Sequence, residues 1–257
     1  MSAVTLDLWH TLMYLAPADE EAYMQHQLAF GREVLSAAPS KPGVPDHSEA
    51  ELGAAFARAY EGAVARSAEG KTVTPAEQIA EAARETGREV DPARYLALLQ
   101  EEVSRTRFRV APGALELLRG LRERGYRVGI ISNTVGEPGA FLRPILSEMG
   151  FDRYVQTYVF SDEHPWTKPS PEIFRYAASR LGEKPSNAVH VGDGWSDLEG
   201  ARRAGYRGAV LFTGLQEYGE SYRRLFLPSV PGALTAQHRA DRLEDVGPLI
   251  EQILPVD

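Results

Sequence analysis

The amino-acid sequence predicts an α/β fold: a parallel sheet with helices on both faces, interrupted by an inserted all-α domain. Three observations carry the prediction. Five short apolar, β-branched runs are bounded by turn residues, helical patterns lie between the last four, and a strand-free stretch rich in Ala, Glu and Arg follows the first. Strands that alternate with helices pair in parallel through right-handed crossovers, which covers both faces of the sheet. The 257 residues suit one elaborated domain or a core with a smaller insert, because single cores stop growing at roughly 250–300 residues.

The first strand is expected at Val4–Leu8. From about Leu15 to Arg109 the sequence then predicts four helices, about 18–37, 47–69, 75–86 and 92–106. Thr74-Pro75-Ala76-Glu77 is a capping box with proline at the first helical position, and Asp91-Pro92 opens another helix. A crossover normally needs only a dozen or so residues. The excess makes 15–109 a separate helical domain, with 1–14 and 110–257 forming the core, and with hinges at Pro17 and Ala111-Pro112-Gly113. The remaining strands are expected at Tyr126–Ser132, Tyr158–Ser161, Ala188–Val191 and Gly208–Phe212. Between them, Arg143–Met149 repeats apolar residues at Ile145, Leu146 and Met149, and Pro171–Leu181 does so at Ile173, Phe174, Ala177, Ala178 and Leu181. The stretch 213–238 has no readable pattern, and a last helix is expected at about Leu243–Leu254.

Acidic residues exceed basic ones by 36 to 28, a formal charge of −8. That balance argues against nucleic acid or an anionic membrane as partner, since both require clustered positive charge. Without cysteine there is no disulfide, thiolate metal site or thiol nucleophile. The start has no basic residue and carries Asp7 in its first apolar stretch, unlike a signal peptide. No apolar run approaches the length that spans a bilayer. The expectation is a soluble, cytoplasmic protein; its oligomeric state is not legible. Only four of the 28 basic side chains are lysines, Lys41, Lys71, Lys168 and Lys184, so a lysine at a strand end stands out.

Ligands of open parallel sheets bind beyond the carboxyl ends of the strands. The residues there are Asp7-Leu8-Trp9-His10-Thr11-Leu12, Ser132-Asn133-Thr134, the segment from Ser161 to Pro169 containing Lys168, and Gly192-Asp193-Gly194-Trp195-Ser196-Asp197. One rim therefore carries three carboxylates (Asp7, Asp193, Asp197), a hydroxyl (Ser132) and one lysine (Lys168). Converging carboxylates repel, which raises their pKa values or demands a cation. Mg²⁺ fits, because it takes one or two carboxylates and leaves positions for phosphate oxygens. Ser132 and the following backbone N–H groups could bind the same phosphate while Lys168 neutralises it, and a carboxylate could attack it as nucleophile. The expected ligand is a small phosphorylated or otherwise anionic molecule.

These four segments, in this order and at these strand ends, resemble the haloacid dehalogenase superfamily of hydrolases. The resemblance spans the whole core, and the insert falls where that superfamily places a helical cap on its Rossmann-like domain. It rests on Asp7 with Thr11-Leu12, on Ser132-Asn133, on Lys168-Pro169, and on Gly192-Asp193 with Asp197, continued by Glu199-Gly200-Ala201 and Ala204-Gly205. The resemblance implies that Asp7 is the nucleophile, that Ser132 and Asn133 hold the transferring group, and that Lys168 stabilises its charge. Asp193, Asp7 and the main-chain carbonyl of Trp9 would bind Mg²⁺, with Asp197 a ligand through water or an orienting partner.

One position departs from that pattern. Phosphatases of the superfamily carry a second aspartate two residues after the nucleophile, which protonates the leaving group; here Trp9 stands there. General acid catalysis contributes about 10²–10⁴-fold, roughly 3–5.5 kcal/mol of barrier. Three readings follow. The chain is a Mg²⁺-dependent phosphohydrolase with an easy leaving group or a displaced acid, for which His10 is a candidate because histidine titrates near neutrality. It is a metal-independent haloacid dehalogenase, in which a halide needs no proton, although Gly192-Asp193 argues against this. Or it is a phosphate-binding module that has lost turnover. His26, His47 and the arginines Arg32, Arg58 and Arg66 read as surface or packing residues of the insert.

Overall fold

The structure, a computed structural model, describes residues 2–215 and 237–255. In chain order its strands are β1 (Ala3–Leu6), β2 (Met13–Tyr14), β3 (Arg109–Val110), β4 (Arg127–Ser132), β5 (Thr157–Phe160), β6 (Ala188–Gly192), β7 (Gly208–Phe212) and β8 (His238–Ala240). The helices are α1 (Pro17–Ala37), α2 (Glu49–Ala68), α3 (Pro75–Glu85), α4 (Pro92–Arg105), α5 (Ala114–Glu123), α6 (Gly139–Glu148), α7 (Pro171–Arg180), α8 (Trp195–Ala204) and α9 (Val246–Ile253).

Six strands pair in parallel in the order β5-β4-β1-β6-β7-β8. Alternation along the strands sorts their side chains onto two faces. Val4, Leu6, Val128, Ile130, Val189 and Val191 share a core with Leu117, Leu118 and Leu121 of α5 and with Val246 and Ile250 of α9. On the other face Ala3, Ile131 and Val159 pack with Ile173, Phe174, Ala177 and Ala178 of α7 and with Ala201 and Ala204 of α8. This is the Rossmann-like α/β sandwich expected from the sequence. The chain runs outward from β1 through β4 to β5, then returns to the other side of β1 at β6, so the strand order reverses between β4 and β6. A crevice opens at such a reversal, at the carboxyl ends of the strands.

Helices α1 to α4 fill the stretch between β2 and β3, and their Phe30, Leu35, Leu52, Phe56, Ile79, Tyr95 and Leu99 are buried in a core continuous with that of the sheet. Their ends follow the local signals. Ser48 caps α2 and Thr74 caps α3, each in a full capping box, and Pro75 and Pro92 open α3 and α4.

Two short elements differ from expectation. Met13–Tyr14 pairs antiparallel with Arg109–Val110, so the chain enters and leaves the helical stretch through a two-stranded ribbon. Pro17 opens α1 as its first residue, where its fixed φ suits a helix and its missing N–H costs nothing. A third strand that lacked a sequence signal, β8, adds to β7. Of the unreadable stretch 213–238, residues 216–236 lie outside the described residues. The final helix is a 3₁₀ turn at Leu243–Asp245 continued by α9. No described helix is long and apolar enough to cross a membrane.

Candidate active site

At the reversal point the ends of β1, β4 and β6 bring the predicted residues together. Asp7 follows β1, and its backbone N–H donates to Val191 O at 2.8 Å, so the parallel ladder itself sets where the carboxylate stands. Asp193 lies one residue beyond β6, and Lys168 lies between β5 and α7. Its ammonium bridges two carboxylates: Nζ donates to Oδ1 of Asp7 at 2.5 Å and to Oδ1 of Asp197 at 2.6 Å. All three side chains are buried, with Asp7 5%, Lys168 3% and Asp197 1% exposed. Carboxylate oxygens of Asp7, Asp193 and Asp197 lie within 4.8 Å of one another.

Asp197 sits inside α8, not ahead of it. The helix opens at Trp195, and Asp197 occupies its third position, where Oδ2 accepts the Gly194 N–H at 3.1 Å. It therefore caps the helix and pairs with Lys168 at once. Its approach requires glycine at 192: a Cβ there would fall 2.2 Å from the Asp197 carboxyl carbon.

Burial pushes the Asp7 carboxyl above the usual 3.8, against the opposing pull of Lys168. Asp193 is pushed up much further, first by burial and then by the charges of Asp7 and Asp197. Burial would raise Asp197 too, but the Lys168 charge and the hydrogen bond from His190 outweigh it and hold that carboxyl well below 3.8. Lys168 loses by burial and gains more from Asp197 and Asp7, which hold its ammonium above the usual lysine range. Three carboxylates against one ammonium leave an excess of two negative charges once all are ionised. Hard oxygen donors with that excess, two of them pressed toward protonation, have the donor chemistry of a divalent cation site.

Ser132 ends β4 and is fully buried. The Asn133 side chain is placed differently from the expectation that it meets the transferring group. Its Oδ1 accepts the Lys168 backbone N–H at 2.9 Å and its Nδ2 donates to the Lys168 carbonyl at 3.0 Å. Both ends of the amide thus grip the lysine segment, and the Ser67 hydroxyl of α2 lies 3.5 Å from the same Nδ2.

Trp9 turns its ring edge-on to Phe108, with centroids 5.3 Å apart. His10 has φ +55°, the left-handed region that glycine adopts freely and histidine adopts at a cost. Its Nε2 pairs with Oε1 of Glu20 on α1 at 3.1 Å, both residues buried. That contact joins the loop after β1 to the first turn of α1. Other contacts from the helical stretch converge on the same rim: Thr72 Oγ1 donates to Ser161 O at 2.9 Å, Gln78 Nε2 to Val135 O at 2.6 Å, and Tyr23 Oη to Glu137 Oε1 at 2.7 Å. Glu137, raised by burial, has no counterpart among the residues singled out in the sequence.

The outlying residues of the insert pair with one another. Arg32 pairs with Glu49, Arg58 with Glu85 and Arg66 with Glu81, while His26 pairs with Glu102. His164 and Trp166 stack on each other. Sequence reading missed His190, which joins Asp197 from within β6; its signal was a polar ring in an otherwise apolar strand.

Comparison with known proteins bears on the family and the fold. The sequence profile described as haloacid dehalogenase-like hydrolase matches residues 1–205. A phosphoglycolate phosphatase of Nitrosococcus oceani is 35% identical over 120 residues, 47% of this chain and 52% of the relative. Phosphoglycolate phosphatase 1 of Pseudomonas aeruginosa is 30% identical over 152 residues, 58% of this chain and 51% of the relative. The chain thus spans about half the length of the curated relatives it matches. Over nearly its whole length it shares the fold of a HAD phosphatase from Thermococcus onnurineus, with TM-score 0.63, 23% identity, and 97% of this chain and 98% of that one covered.

Proposed function

The chain belongs to the haloacid dehalogenase-like hydrolases, and on that premise we propose that it is a magnesium-dependent phosphohydrolase of small phosphorylated molecules, with Asp7 as nucleophile. The observation that carries this reading is Lys168 held between Asp7 and Asp197 beside Asp193, a site short of two positive charges. Asp7, Asp193 and the Trp9 carbonyl would hold Mg²⁺, which when bound supplies the missing charge and polarises the phosphoryl group. Asp197, whose oxygens already accept from Lys168, His190 and Gly194, orients the lysine.

An oxygen of Asp7 forms a bond to phosphorus while the bond from phosphorus to the leaving oxygen breaks, giving an aspartyl-phosphate. Water then attacks phosphorus, releasing phosphate and restoring Asp7. Ser132 and the backbone N–H groups after it hold the phosphoryl oxygens, and Lys168 meets their growing charge. Asn133 secures Lys168. Residues 15–109 act as a cap that shields the reaction from water, with His10 and Glu20 joining it to the catalytic loop.

The relatives' named substrate, phosphoglycolate, is an alkyl phosphate whose leaving oxygen needs a proton. Trp9 has none to give at neutral pH. We therefore place the substrate among acyl, aryl or anhydride phosphates, whose leaving groups depart unaided. Hydrolysis of p-nitrophenyl phosphate tests this directly: activity should require Mg²⁺ and vanish with chelator and in Asp7→Asn. Silence with Mg²⁺, together with metal-free release of halide from a 2-haloacid, would replace it with the dehalogenase reading. Silence in both assays would leave a binding module.

A further inference from the structure

On the reading of the site just given, Lys168 must point at the group on Asp7, and its direction depends on Asp197. We propose that Thr5 and His190 form a buried positioning relay that fixes Asp197, and through it Lys168, for the reaction.

His190 occupies β6 between valines and is fully buried, its ring edge-on to Phe174 with centroids 5.0 Å apart. A valine or leucine would fill that place without desolvating two ring nitrogens. Both nitrogens instead have partners on a line toward the site. Thr5 is the neighbour of His190 across the parallel pair β1–β6, and its Oγ1 lies 2.8 Å from Nδ1. On the far side Nε2 lies 2.9 Å from Oδ1 of Asp197, the oxygen that also takes Lys168 Nζ.

The chemistry of the partners orders the hydrogens. An ionised carboxylate only accepts, so Nε2 carries the hydrogen and donates it to Asp197. In the neutral ring Nδ1 then presents a lone pair, to which the Thr5 hydroxyl donates. Asp197 thus selects the ring tautomer, and Thr5 anchors the other end of the ring so that Nε2–H stays aimed at the carboxylate. With Gly194 N–H on Oδ2, Asp197 is held from β6, from α8 and by the lysine at once. Groups at this remove touch neither substrate nor metal; they set the angle of those that do.

Thr5→Val separates positioning from packing, because valine keeps the shape and the strand preference but cannot donate. Nδ1 is then buried without a donor, and the ring loses the anchor that aims Nε2–H at Asp197. Turnover of p-nitrophenyl phosphate should fall about tenfold or more, with KM little changed, and Thr5→Ser should recover most of it. Tyr126, just ahead of β4 at the opposite end of the sheet, is fully buried and donates to Leu254 O at 2.6 Å, and serves as the structural control. Tyr126→Phe should lower stability and leave kcat alone.

A second readout does not depend on activity. Nitrogen-15 spectra of the His190 ring in the native protein should show the hydrogen on Nε2 and an accepting Nδ1, with Nδ1 shifted in Thr5→Val. A hydrogen on Nδ1 in the native protein, or native kcat in a folded Thr5→Val, would overturn the relay. If the native protein hydrolyses no phosphate ester, the reading of the site fails, and the ring spectra still decide whether Thr5 donates to the ring.

Discussion

Two neighbouring residues decide what the loop after β1 can do. Trp9 packs against Phe108 and offers no proton, so Trp9→Asp should raise turnover of alkyl phosphates by up to about 10²-fold and change p-nitrophenyl phosphate little. Equal rates on alkyl phosphates before and after, in folded protein, would mean that another group already protonates the leaving oxygen. His10 adopts a glycine-like φ, and relief of that strain in His10→Gly is worth about 1–2 kcal/mol. The same change strands buried Glu20, at a cost of about 1–3 kcal/mol. Loss of the buried His10 ring adds to that cost, so the total exceeds the relief and denaturant titration should show a net loss on the order of 1 kcal/mol. Turnover should stay near native, because Nε2 is committed to Glu20; a collapse of kcat with its alkaline or acid limb displaced would instead make His10 the acid. At this scale Asp7, Ser132, Lys168, Asp193 and Asp197 were legible in the sequence, because each lies at a strand's carboxyl end or in the loop or first helical turn that follows one. Thr5 and His190 were not: a hydroxyl and an imidazole inside apolar runs read as parts of strands until the register sets them side by side. The Asn133 amide was legible as a site residue, but its grip on Lys168 appears only when β4 and the lysine segment are folded together.

Elements with strong local signals match the sequence closely. The four helices of the insert begin at or within two residues of their predicted starts, since Ser48, Thr74, Pro75 and Pro92 mark them by capping chemistry and fixed φ. β2 and β3 went unread because two-residue strands show no periodicity; their pairing depends on contacts about ninety-six residues apart along the chain, Met13 with Val110 being one. Packing of α1 on α2 depends on Gly31, where a Cβ would fall 2.3 Å from the Phe56 ring. Gly31→Ala should therefore cost about 1–3 kcal/mol by overpacking, although alanine favours the helix by roughly 0.8–1 kcal/mol. Thermal denaturation should show a lower Tm; an unchanged or higher one would mean that the two helices can part without penalty.

For the molecule as a whole, the site couples stability to pH and, on the proposed reading, to Mg²⁺. Asp7 and Asp193 are raised above 3.8 in the folded protein, so the folded chain keeps protons that the unfolded chain has already released. Without metal, their contribution is complete below the usual carboxylate value and is lost as pH rises through the raised ones. Asp197 acts in the opposite sense, but its effect lies below 3.8, where that depressed carboxyl finally protonates. On that reading Mg²⁺ competes with the protons on Asp7 and Asp193 and, by binding the folded state, stabilises it. Its effect on Tm should be larger at about pH 8 than at about pH 5; equal shifts at both would count against these two aspartates as its ligands. The central claim is that Asp7 takes the phosphoryl group, and rapid quench of a single turnover of p-nitrophenyl phosphate in ¹⁸O-water tests it most directly. A phosphoryl adduct should appear on the peptide containing Asp7 and then decay, with the heavy oxygen ending in released phosphate. Turnover in the native protein with no adduct on that peptide, or full turnover in Asp7→Asn, would contradict it.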